Sequence, residues 1–120
     1  MMMGMMMSTT NAAATNTVAA NTNALPLSSV ARVPTDKAAR YMGQLCKHFA
    51  HKIPATFDAE SGRIEFSIGI CELAAGKDAL ALHVSAATEE TLAQMEDVVA
   101  RHLVRFAFRD ELVVSWQRGA

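Results

Sequence analysis

The chain has 120 residues, 51% of them hydrophobic and 19% charged, with a formal net charge of −1. That is enough length for one domain with a modest core. It leaves no global field to recruit nucleic acid or an anionic membrane. The two cysteines, Cys46 and Cys71, have no CxxC spacing; they exclude a disulfide framework and fit small buried thiols in a reduced, cytoplasmic protein.

Residues 1–27 read as a low-complexity tail. Met1 to Met7 is methionine broken only by Gly4, Ser8 to Asn23 is Ser, Thr, Asn and Ala with a single Val18, and no charge precedes Arg32. The stretch lacks the basic start and continuous apolar core of a secretory signal, and no run approaches the roughly 20 residues of a membrane span. It cannot bury enough apolar surface to offset its ordering entropy, so it is expected to be disordered. The methionine run also admits a start codon downstream of Met1.

Residues 28–120 are expected to form a single domain. Ser29–Val33 reads as a strand ended by Pro34, which has no N–H for a ladder. Thr35 stands at a helix N-cap position, with Asp36 beside the positive helix end. Ala38, Tyr41, Met42, Leu45, Cys46 and Phe49 then recur at the spacing of one buried helical face, until Pro54 stops the helix near His51 or Lys52. Ala55–Asp58 is a short edge strand, followed by turn chemistry at Ser61 and Gly62.

Arg63–Cys71 alternates as one strand, with Ile64, Phe66, Ile68 and Ile70 inward and Ser67, Gly69 and Cys71 outward. After a turn at Gly76–Asp78, Ala79–Ala86 alternates again, with Leu80, Leu82 and Val84 inward. Thr88 caps a second helix striped by Leu92, Met95, Val99, Leu103 and Phe106, acidic at its start and carrying Arg101, Arg105 and Arg109 at its end. Leu112, Val114 and Trp116 alternate as a last strand. The predicted order is β-α-β-β-β-α-β: an α+β two-layer sandwich, an antiparallel sheet of about four or five strands with two helices on one face. In a ferredoxin-like alternative the Ala55 strand is only loop.

At about 100° per residue, His48 and His51 project from one flank of the first helix, beside Tyr41 and Gln44, and His102 from the same-handed flank of the second. These flanks meet only if the helices run antiparallel; then His48, His51 and His102 form a three-histidine site for a divalent metal. With three strands between the helices they run parallel and the site does not form. The same residues also fit boundary histidines bonded to backbone or solvent, or an acid–base catalyst titrating near neutral pH. His83 points from the outer sheet face among the small residues Ser67, Gly69, Ala81, Ser85 and Ser115, where a second protomer or a flat ligand can dock. Arg105 and Arg109 are placed to bind a carboxylate or phosphate, or to cap the last helix carbonyls. Phe108 should emerge opposite the core if the helix continues and turn inward if it breaks. No GxGxxG, phosphate loop, GxSxG or HExxH occurs, and no aromatics interleave with Lys37, Arg40 and Lys47 as nucleic-acid binding would ask.

The runs LCKHFAHK, GRIEFSIGICEL, LALHVSAA and HLVRFAFRDELVVSWQR together resemble a bacterial family of small domains known as domain of unknown function 2218, over about Val33 to Arg118. HFAHK and HLVRFAFR are the most specific parts. The resemblance directs attention to His48, His51 and Lys52, and to His102, Arg105 and Arg109. Through members joined to siderophore-interacting flavin reductase domains it implies a link to iron uptake, for which this sequence has no motif of its own. The function expected is a non-catalytic binding or accessory module, in iron or siderophore handling, using this surface for a metal, an anion or a partner. The alternatives are a small enzyme with His48 or His102 as general acid–base, or a homodimer joined through Ser67, Gly69, Ala81, His83 and Ser85.

Overall fold

The computed structural model describes residues 25–119. The expected tail and the start-codon reading fall almost wholly outside them, although Leu27, counted with the tail, opens the first strand. The elements run β1 (Leu27–Pro34), α1 (Ala38–Ala50), β2 (Ala55–Phe57), β3 (Ser61–Phe66), β4 (Gly69–Ala75), β5 (Ala79–Ala86), α2 (Glu89–Phe106) and β6 (Gln117–Arg118). They build one sheet in the order β2-β3-β4-β5-β1-β6, antiparallel at every pairing. Both helices pack on one face, where Leu80, Leu82 and Val84 of β5 meet Met42, Leu45 and Cys46 of α1 and Met95, Val99 and Leu103 of α2 in a single core. The α+β class, the antiparallel sheet and the shared helix face are those expected. Neither helix is long and apolar enough to cross a membrane.

The strand expected over Arg63–Cys71 is two strands. β3 and β4 form a tight hairpin through Ser67 and Ile68, with Phe66 opposite Gly69 and Ile64 opposite Cys71. Residues directly opposite in an antiparallel pair share a face. The two-residue turn therefore reverses which parity points inward. Cys71 and Leu73 are buried, while Ile70 and Glu72 go to the outer face. Gly69 faces the core against Met95 and Ser67 sits in the turn, so neither belongs to the outer face assigned to them. Ala81, His83 and Ser85 do lie there. Their neighbours are not all small: Arg63 bonds both Glu65 and Glu72, and Glu72 lies 3.7 Å from His83 Nδ1.

Other boundaries moved for local reasons. Thr35 does not cap α1; its hydroxyl accepts from the Lys37 amide in a turn, and Lys37 takes the N-cap place without a side-chain cap. Thr88 caps α2 as expected, in a reciprocal box with Thr91. Leu112, Val114 and Trp116 alternate in burial, but the residues from Glu111 to Trp116 pair with no strand. α2 ends at Phe106, yet Phe108 does not turn inward: Ala107 takes the buried position, and Phe108 is exposed with the Arg109 guanidinium 5.3 Å from its ring centre.

The extra strand sets the helix directions. With four strands between them, α1 and α2 run antiparallel. Tyr41 and Lys37, at the start of α1, bind Asp110 beyond the end of α2. His48 and Phe49, near the end of α1, instead meet Phe106 and His102.

β6 is only two residues long and is held by a side chain. Arg118 lies opposite Ser29 and forms a two-pronged ion pair with Glu96 of α2, at 2.9 and 3.1 Å. The buried Ser29 hydroxyl lies close enough to help lower the Glu96 carboxyl without completing a well-formed hydrogen bond. Hydrogen bonding from Arg118 is the main cause that holds Glu96 below its usual value of 4.5. A carboxyl whose folded pKa is depressed stabilises the fold above its unfolded pKa, and that contribution vanishes as pH falls through the folded value. Thermal melts should therefore show Glu96→Gln less stable than wild type at neutral pH, with the gap closing as pH falls through the depressed titration of Glu96. A gap that persists in acid would mean that packing, not charge, holds the clasp.

Candidate functional site

The antiparallel helices bring together the two histidine flanks that the sequence joins only in the ferredoxin-like alternative. The rings of His48 and His102 lie 5.1 Å apart, centre to centre, tilted at 43°. Phe49 stands edge-on to His48 at 5.0 Å and lies 4.9 Å from His102, while Phe106 stands 5.4 Å from His48. Phe49 rests in turn on Phe66 of β3 at 4.9 Å, which ties the pair to the sheet. Phe49 and Phe106 carry the core period and so read as core alone; at the edge of the stripe they also wall the histidines.

His102 has a fixed role. Its Nδ1 lies 2.7 Å from the Val98 carbonyl oxygen, one helical turn back. A carbonyl only accepts, so Nδ1 donates, and in the neutral ring Nε2 carries the lone pair. His48 is exposed at the rim of the seam. Desolvation by its neighbours lowers its pKa from the usual 6.5, and the charges of His102, His51, Lys52 and Arg105 push in the same direction. Each of these neighbours is a cation or becomes one. Lys47, Lys52, Arg105 and Arg109 make no ion pair among the described residues, whereas Arg101 is 3.3 Å from Asp97. The site is thus two imidazoles in an electropositive rim without a counter-ion.

Of the six residues singled out by sequence, His48, His51, Lys52, His102 and Arg105 gather here, while Arg109 stacks on Phe108. The three-histidine metal site does not close. Among the described residues no group of three His, Cys, Asp or Glu side chains converges. His51, about 60° further round α1 than His48, is turned off the seam, although its charge reaches His48. Two imidazoles fall short of the three or four protein ligands of a zinc centre.

One polar group in this region lacks a partner among the described residues. Gln44 lies one turn before His48 on α1, and its Oε1 is buried with no hydrogen bond. Elsewhere, Cys46 and Cys71 are buried free thiols. Burial pushes Cys46 up to about 11 and raises Cys71 as well, so both are neutral packing groups.

The model of a family described as "Uncharacterized protein conserved in bacteria (DUF2218)" matches residues 30–117. Among solved structures, the chain is similar to "NMR structure of PA4090 from Pseudomonas aeruginosa", at 40% sequence identity and a TM-score of 0.66, over 76% of this chain and 95% of that one. No curated protein matches it.

Proposed function

The chain belongs to this family of uncharacterised bacterial proteins, and we propose that it is a non-catalytic binding module for a small anion, held in the seam between α1 and α2. One observation carries the reading: His48 and His102 meet inside a rim of cations that have no acidic partner among the described residues. Crowded like charges are unfavourable, and here desolvation first and then those charges hold His48 toward its neutral form. A carboxylate or phosphate would supply the missing counter-charge and turn the repulsion into charge-assisted hydrogen bonds. Phe49 and Phe106 exclude water from one side, which strengthens those bonds.

The anchored Nδ1 of His102 is also how metal-ligating histidines are oriented. A metal held by these two rings would need its remaining ligands from the anion itself. An anionic iron chelate meets both requirements, and it is the form in which the iron or siderophore link implied by the resemblance fits this site.

The test is a citrate titration of the full chain, followed through the imidazole NMR signals. Both ring signals should move, and the His48 pKa should rise in the complex. Since binding then takes up a proton, affinity should increase as pH falls through the titration of free His48. Arg105→Ala should weaken binding about tenfold, and added salt should weaken it too. Ring signals that stay fixed at millimolar citrate would sink the proposal.

A further inference from the structure

We infer that the anion accepted by this seam is a hydroxycarboxylate, its carboxylate set against His48 and Arg105 and its hydroxyl donating to Oε1 of Gln44. The inference rests on the anion-binding reading above and adds the chemical class of the ligand.

Tyr41, Gln44 and His48 follow one another at helical spacing along the flank of α1 that faces α2. Two of the three are engaged across the seam. The Tyr41 hydroxyl donates to Asp110, and the His48 ring meets His102. Gln44, between them, has a buried Oε1 with no donor. A buried carbonyl oxygen without a partner is an expensive feature to keep, and a ligand that satisfies it gains accordingly. Phe106, the α2 ring that meets His48 one turn further along this flank, has no side-chain donor. No donor among the described residues reaches it, and a ligand held in the seam can supply one to the Gln44 oxygen.

The surroundings narrow what it can be. An ammonium donor, as on an amino acid, would enter the field of Lys52, Arg105 and the histidines and be repelled. A hydroxyl donates without charge. One helical turn rises about 5.4 Å, the reach of a short hydroxy acid lying along α1 from His48 back to Gln44. A site built to hydrogen-bond a hydroxyl discriminates against the analogue that lacks it, because its own buried group is then left unpaired.

Citrate and tricarballylate test this, because they carry the same three carboxylates and differ by one hydroxyl. Titrated into the full chain in metal-free buffer, citrate should bind at least about tenfold more tightly. Gln44→Leu should abolish that preference, so that it binds the two acids equally. Equal affinities for the two acids in the wild-type chain overturn the hydroxyl assignment and leave the anion site standing. Binding of neither acid overturns both. A preference that survives in Gln44→Leu overturns the role of Gln44.

Discussion

Gly69→Ala is expected to destabilise the fold by at least about 3 kcal/mol, seen as a large drop in the urea midpoint. The new methyl group would run into the Ser85 carbonyl oxygen of the adjoining strand and lie 3.0 Å from Met95 Cγ. The methionine can swing aside. The carbonyl belongs to the β4–β5 ladder, where Gly69 pairs opposite Ala86, and it cannot move without breaking register. Gly43→Ala is the control. In α1 its methyl group would meet only the Phe57 ring, at 3.4 Å, an ordinary contact. There the better helix propensity of alanine should leave stability unchanged or raise it by up to about 1 kcal/mol. Similar losses at both positions would mean that the close approach of β4 and β5 at the hairpin is not as described.

Leu103→Ala and His102→Ala should separate folding from binding at adjacent positions on α2. Leu103 is fully buried between α2 and the sheet. Its truncation removes apolar contacts and leaves a cavity, for an expected loss of about 3 kcal/mol. His102 is only half-buried and holds its own helix carbonyl. Its removal should change stability by less than about 1 kcal/mol while weakening citrate binding about tenfold. Denaturant melts and the same titration measure both. If His102→Ala unfolds the chain as badly as Leu103→Ala, the imidazole is a structural boundary residue and the binding role falls.

Where the two helices are concerned, the sequence was legible because amphipathic period and buried face are the same fact. Ala38, Tyr41, Met42, Leu45 and Cys46 are buried on α1, and Leu92, Met95, Val99 and Leu103 on α2. The sheet was less legible, because alternation reports which face is covered and not where a strand ends. Ser67 and Ile68 carry no glycine, proline or asparagine to mark a turn, and Ile68 keeps the hydrophobic period running through it. The reverse error occurs at Leu112, Val114 and Trp116, where alternate burial comes without any ladder. The missed hairpin had a consequence far from itself, since an added strand reverses α2 relative to α1 and so decides whether His48 can meet His102. The orphaned oxygen of Gln44 left no sequence signal at all; its position on the flank was readable, but its lack of a partner depends on what α2 presents opposite it.

The strand order also governs how this chain can assemble. β2 to β5 are consecutive in sequence and neighbours in the sheet, so each needs only a short loop to close before its ladder forms. Of the described strands β1 is made first, but it pairs with β5, opposite Ala86 at one end and Ala79 at the other, and its partners among the described residues, β5 and β6, are both made later. Closing that long loop carries an entropic penalty that the local meander does not. During synthesis, therefore, the first strand to emerge waits uncommitted while the meander forms behind it. It then docks against the exposed edge of β5, and β6 fastens its outer side last. Folding should show a transition state organised around β3, β4 and β5, with substitutions in β1 acting mainly on the unfolding rate.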